Sequence, residues 1–211
     1  DDPSRYYRTI GEWSAKFHEQ SRHWNRPFGF KRFNWGISDM VGASPRWGRW
    51  ETADLSDTDR HLCEHALDAA LAVMNTYPRN NHTWGLIHAD LRPSNIIRAD
   101  NGDLTVIDFD DAGYSWYLYD YASSLSFVEH KPYAPQLAKA WLDGYVSVAG
   151  PMSSEELHVM SALSMIRRLQ MLGWTTNHRE DALPEGLAAE QAAGTVQCAR
   201  NYLADAQWLL R

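Results

Sequence analysis

The sequence has only two cysteines, Cys63 and Cys198, far apart and outside any C-x-x-C pair. That excludes a paired redox motif and leaves two reduced, mostly buried thiols as the expectation, in keeping with a reducing cytoplasm. Basic residues are in deficit: the formal charge is −7 and the pI near 5.7. A sequence-independent nucleic-acid binder needs a basic face, so no nucleic-acid partner is expected. An acidic surface is also common for plain solubility, so the charge identifies no partner. No apolar run approaches the ~18 residues of a membrane span, and no membrane partner is expected. No basic-then-apolar segment opens the chain, so no signal peptide is expected either. Internal repeats and low-complexity tracts are absent.

What is present is enough for a folded core. Apolar residues make up 44% of the 211 residues, and ten are tryptophan. Disordered chains are poor in aromatics. The length suits one large domain or two small ones.

Helical periodicity dominates. Tyr6, Tyr7, Ile10, Trp13 and Phe17 recur at steps of three and four, and Asp2 before Pro3 is a cap for that helix. Residues 25–52, rich in Gly, Pro and aromatics, read as a long loop packed by its own rings. A second helix starts near Ser56, with capping-box spacing to Asp59, and buries Leu62, Ala66, Leu67, Ala70, Leu71 and Met74. Pro78 ends it. Short strands follow at "WGLIH", "NIIRA" and "LTVID". The last two flank Asn101-Gly102, a strong hairpin signal. Four further helical segments occupy the rest: "YLYDYASSLSFVE", "APQLAKAWLDGYVSVA", "SSEELHVMSALSMIRRLQMLGW" and a last one from Pro184 to Arg211. Gly150-Pro151 and the loop "TTNHREDALP" separate three of them. His18, His23, His61, His65 and His158 show no convergent ligand spacing and read as ordinary helix residues.

One stretch is too polar for packing alone: "GLIHADLRPSNIIRADNGDLTVIDFDD", Gly85 to Asp111. Asp90 follows a strand, Asn95 begins the next, and Asp108 ends the hairpin's return strand. Pairing across Asn101-Gly102 sets Asn95 opposite Asp108. The sequence therefore predicts Asp90, Asn95 and Asp108 around one cleft. An amide and a carboxylate oxygen suit a magnesium ion that keeps waters and binds substrate phosphates. Asp90 remains beside them as a carboxylate able to accept a hydroxyl proton. The plain alternative is a turn aspartate and a strand-start asparagine, which leaves the joint spacing unexplained.

The arrangement resembles the catalytic loop and metal-binding segment of the kinase superfold. "HADLRPSN" matches H-R-D-x-x-x-x-N at His, Asp and Asn, and "DFD" stands where D-F-G would. The small second residue is similar to the aminoglycoside phosphotransferase and choline kinase group, whose loop reads H-G-D-x-x-x-x-N. Within it, "VIDFDDAGYSWYLYDYA" and "MLGW" look most like homoserine kinase type II and the bacterial stress-response Ser/Thr kinases. The resemblance implies that Asp90 orients or deprotonates an acceptor hydroxyl, and that Asn95 and Asp108 hold magnesium on ATP phosphates. Arg92 stands where a cation meets the transferring phosphoryl group; the alternative is a surface cation. His88 is read as a structural hydrogen-bonding residue. Asp110 and Asp111 are either solvated turn carboxylates or groups reaching a cationic acceptor or a second metal. Tyr114, Trp116 and Tyr117 either line an acceptor pocket or pack. Asp120 is expected to be a helix-start or loop-bracing carboxylate, not a catalyst.

The resemblance also implies an N-terminal lobe with a phosphate-covering loop and a strand lysine. The four lysines, Lys16, Lys31, Lys131 and Lys139, lie in no such strand. The expectation is an α+β, mainly α, protein-kinase-like C-terminal lobe over residues 1–211, with a small β-hairpin at the active site. Its partner lobe would come in cis or in trans. The expected function is ATP- and Mg-dependent phosphoryl transfer to a hydroxyl of a small molecule or protein. The alternatives are a non-catalytic binding module and, less well supplied with ligands, a metal-dependent phosphoesterase.

Overall fold

The structure, a computed structural model, describes residues 2–178 and 184–210. The elements run α1 (Pro3–His23), α2 (Ile37–Val41), α3 (Asp57–Thr76), β1 (Trp84–Ile87), β2 (Ile96–Arg98), β3 (Leu104–Val106), β4 (Gly113–Trp116), α4 (Tyr119–Ser124), α5 (Ala134–Ala149), α6 (Ser154–Asn177) and α7 (Leu187–Ala204). The fold is mainly helical, as expected, with the expected hairpin β2–β3 and a second small antiparallel sheet, β1–β4.

The helix starts follow local chemistry. Asp2 Oδ1 accepts the Ser4 N–H at 3.0 Å, and Pro3 occupies the first helical position, where no amide partner is needed. Ser56 Oγ accepts the Asp59 N–H at 3.1 Å. Ser153 and Glu156 form a full capping box on α6. Tyr77 closes α3, and Gly150, at φ 88, closes α5.

The central element is α6, buried from Val159 to Leu172, with α2, α3, α4 and α7 packed round it. On one side α1 lies along α5. A Cβ on Gly11 would sit 2.0 Å from the Trp141 carbonyl oxygen, and one on Gly144 would sit 2.0 Å from that of Arg8. The two backbones therefore touch, and only glycine fits at the crossing. Cys63 and Cys198 are buried and unpaired; burial pushes their thiols up to about 11 and about 12. Among the described residues no helix is long and apolar enough to cross a membrane.

Five local expectations are corrected. The hairpin loop spans Asp100–Gly102: Gly102 N–H bonds to Ala99 O at 2.9 Å, Ala99 N–H to Asp103 O at 2.8 Å, and Gly102 takes φ 91. A three-residue loop of this kind shifts the register by one from a two-residue Asn-Gly turn, so Ile96 faces Val106 and Asn95 faces Ile107, not Asp108. The segment 25–52 does pack its own rings, as in Trp35 and Trp47 at 4.8 Å. It also holds α2 and bridges Asn34 to Tyr114 on β4. The strand β4, unforeseen, pairs with β1 from Trp84–Trp116 to Ile87–Gly113. The helix expected over residues 117–129 stops at Ser124, and Phe127 follows at φ 74. The last helix ends at Ala204; part of the preceding loop, residues 179–183, lies outside the described residues.

Candidate active site

From β1 the chain enters His88–Leu91 through a left-handed Ala89, φ 65, a conformation that costs a side-chain-bearing residue about 1–2 kcal/mol. Asp120, at the start of α4, holds it there. Asp120 Oδ1 accepts the Ala89 N–H at 2.7 Å, and Oδ2 accepts the His88 N–H at 3.4 Å. The same Oδ2 meets His18 Nε2 at 2.9 Å, and His18 Nδ1 meets the Tyr145 hydroxyl at 3.0 Å. His18 and Asp120 have no exposed surface. Burial lowers the His18 pKa and outweighs the opposing pull of Asp120. A neutral ring fits: it donates from Nε2 to the carboxylate and accepts the tyrosine proton at Nδ1. Asp120 braces the loop as expected. His18 is corrected from an ordinary helix residue to part of that brace, because the α1–α5 contact turns it inward.

His88 ties the loop to the hairpin. Its Nδ1 accepts the Asp90 N–H at 3.3 Å, and its Nε2 donates to Ile107 O at 3.2 Å. The Ile107 N–H donates to Asn95 O at 3.0 Å. Asp108 thus follows a residue fixed on both sides, leaves it at a left-handed φ of 64, and is exposed.

The Asp90 carboxylate is held on both oxygens. Oδ2 accepts Asn95 Nδ2 at 2.9 Å and Arg92 Nε at 3.1 Å. Asn95 Nδ2 also meets Asp90 O at 2.8 Å, so the amide nitrogen is committed and its oxygen is the atom available to a ligand. Oδ1 accepts Arg167 Nη2 at 3.0 Å. Sequence reasoning missed Arg167. Its signal was there: "MIRRLQM" places two arginines in the apolar middle of a helix, where a charge persists only with partners. Arg167 finds Asp90, and Arg168 finds Glu129 at 2.7 Å.

After Asp108 the chain makes a turn at Phe109–Ala112, closed by a 3.0 Å backbone bond. Arg32 grips it from the long connection, donating to the carbonyls of Phe109, Asp110 and Ala112. Trp35 Nε1 donates to Asp111 O at 2.8 Å. Asp110 is exposed and Asp111 half-buried. Burial raises the Asp111 pKa; Arg167 opposes this, and Asp90, Asp108 and Asp110 reinforce it. The carboxylates therefore share one field. Among the described residues no group of three or more His, Cys, Asp or Glu forms a metal cage. The Asn95 amide oxygen and the Asp108 carboxylate are oxygen donors of the kind accepted by a cation that keeps its waters and binds substrate phosphates.

Trp116 and Tyr117 are buried and pack; Tyr114 lies in β4 beneath Arg26. The half-exposed aromatics near Asp90 are others. Trp47 lies 4.9 Å from the Arg167 guanidinium, Phe127 lies 5.5 Å from that of Arg92, and Trp174 lies 6.0 Å from Phe127.

Comparison with known proteins bears on the fold and the family. The structure of a microcompartment-associated aminopropanol kinase superposes with a TM-score of 0.85 at 32% identity, over 97% of this chain and 63% of that one. Amicoumacin kinase of Bacillus subtilis (strain 168) is 36% identical over 73 residues, 35% of this chain and 21% of that protein. A choline kinase of Streptococcus pneumoniae shares the fold, with a TM-score of 0.65 at 14% identity over 92% of this chain and 65% of its own. The chain thus spans less than two thirds of the length of these relatives. The family model of the phosphotransferase enzyme family (APH) matches residues 1–155, and the chain belongs to that family.

Proposed function

We propose that this chain is the catalytic lobe of an ATP- and magnesium-dependent kinase that phosphorylates the hydroxyl of a small amino alcohol. The observation that carries the reading is the Asp90 carboxylate, held by Asn95, Arg92 and Arg167 within the field of Asp108 and Asp111. Phosphoryl transfer needs positioning and charge neutralisation more than covalent help. In this reading Asp90 orients the acceptor hydroxyl and takes its proton. Asn95 Oδ1 and the Asp108 carboxylate hold magnesium, which neutralises the nucleotide phosphates. Arg92 meets the transferring phosphoryl group. Ile97, two residues after Asn95, and Phe109, next to Asp108 in sequence, are exposed at 53% and 49% and offer apolar surface to a nucleobase or to an N-terminal lobe supplied in cis or in trans.

The acceptor class rests on the aminopropanol kinase likeness and on local chemistry. The half-buried Asp111 attracts an ammonium group, and Trp47, Phe127 and Trp174 give its hydrocarbon an apolar wall. The test is magnesium-dependent ATP binding and phosphorylation of a panel of amino alcohols, with the chain alone and with a supplied N-terminal lobe. Transfer to amino alcohols above simple alcohols is the expected result. Nucleotide binding without transfer to any acceptor would instead mark a non-catalytic binding module. Phosphate release from a simple ester without ATP would mark a phosphoesterase.

A further inference from the structure

Counting the lone pairs of Asp90 gives Arg167 a specific task, one that rests on the phosphotransferase reading above. Each carboxylate oxygen accepts about two hydrogen bonds. Oδ2 already receives Arg92 Nε and Asn95 Nδ2, whereas among the described residues Oδ1 receives Arg167 Nη2 alone. The position left for an acceptor hydroxyl is therefore on Oδ1, beside the guanidinium.

Arg167 is not free to move. Its side chain is 1% exposed. Its Nε donates to Ser126 Oγ at 2.9 Å and its Nη1 to the Tyr119 hydroxyl at 2.8 Å. The Tyr119 hydroxyl in turn donates to Gln170 Oε1. The Trp47 ring lies 4.9 Å away. A cation fixed this firmly competes with any metal for the carboxylate it holds. Asp90 is bonded to Asn95, the neighbour that would ligate magnesium, and a magnesium ion takes one or two carboxylates among its ligands, so Asp90 is within the class of group it would recruit.

We propose that Arg167 is a positioning residue, which presents Asp90 Oδ1 to the acceptor hydroxyl and keeps the Asp90 carboxylate out of the coordination sphere of the metal held by Asn95 and Asp108. A residue that only filled the core would, on removal, weaken metal binding and turnover together. Arg167 in the proposed role gives opposite changes.

The experiment titrates Mn²⁺ into wild type, Arg167→Met, Arg167→Lys and Tyr119→Phe, and follows single-turnover transfer from ATP in the same full-length proteins. In Arg167→Met, Mn²⁺ binding should tighten by about 3- to 10-fold, the effect of removing one nearby compensating charge. Transfer at saturating substrates should fall by about 10²-fold, the effect of a misplaced catalytic group. Arg167→Lys keeps the charge but not the fork, so Mn²⁺ affinity should stay at the wild-type level while transfer falls by about 10-fold. Should Arg167→Met fail to fold, Tyr119→Phe decides. It keeps the charge and the packing but frees Nη1, and should slow transfer by about 3- to 10-fold with Mn²⁺ affinity unchanged. Wild-type transfer in Arg167→Lys and Tyr119→Phe would overturn the proposal, as would parallel loss of Mn²⁺ binding and transfer in every variant. A wild-type protein that binds Mn²⁺ and nucleotide yet transfers nothing would overturn the phosphotransferase reading itself.

Discussion

His18 Nε2 and Asp120 Oδ2 meet at 2.9 Å with neither side chain exposed, and the other oxygen of Asp120 holds the Ala89 amide. A histidine on the first helix thus fixes the backbone of the residue before Asp90. The link makes the shape of the loop depend on a neutral imidazole.

Stability should therefore fall on acidification. Burial lowers the His18 pKa from its ordinary 6.5. Below that value the unfolded chain binds a proton that the folded one refuses, so this contribution is complete above the unfolded pKa and declines as pH drops beneath it. His130, lowered mainly by burial, adds to the same slope. His18→Asn should flatten the decline between about pH 6.5 and pH 5, and should cost about 1–3 kcal/mol at higher pH through unpaired buried groups. Urea unfolding at several pH values checks both. An unchanged slope in the variant would show that the ring does not stay neutral.

Ala89 carries left-handed strain on a fully buried methyl group. Ala89→Gly removes strain of about 1–2 kcal/mol but loses the methyl contacts and makes the unfolded chain more flexible, by about 0.5–1 kcal/mol. It should therefore lie within about 1 kcal/mol of wild type. Ala89→Val adds β-branching and volume at the same φ and should cost at least 2 kcal/mol, about the combined effect of strain and overpacking. Equal unfolding midpoints for the two variants would contradict the backbone assignment.

Gly11→Ala and Gly144→Ala each drive a Cβ to 2.0 Å from a carbonyl oxygen of the facing helix. Backbone cannot yield as a side-chain tip can, so each should destabilise by about 1–3 kcal/mol. Thermal unfolding measures this. A neutral effect would mean the helices separate freely.

Arg32 holds three carbonyls of the turn after Asp108 without touching the proposed ligands. Arg32→Ala should weaken magnesium-nucleotide binding by about 10- to 100-fold, as loss of outer support does at metal sites. Folding should be little changed. Calorimetric titration of the nucleotide with and without magnesium separates this from a general loss of structure.

Much of the lobe was legible because its signals are local. Asp2, Ser56 and Pro78 set helix ends through contacts within a few residues, and spacing grouped Asp90 with Asn95. The rest depends on distant partners. The hairpin register turned on whether the loop held two or three residues, which Asn101-Gly102 alone does not decide. Strand β4 forms because β1, far back in sequence, offers it an edge. His18, Arg32 and Arg167 reach the site from three separate segments. Only the two adjacent arginines inside an apolar helix signalled that such a partner was required.

The most direct test of the account compares Asp90→Ala with Asp108→Ala in the full-length protein, by nucleotide titration and single-turnover phosphorylation. Asp108→Ala should abolish magnesium-dependent nucleotide binding. Asp90→Ala should bind nucleotide nearly as wild type and lose turnover by about 10²- to 10⁴-fold, the range for a general base. Full turnover in Asp90→Ala would contradict the account, leaving a kinase-like fold without the chemistry assigned to it.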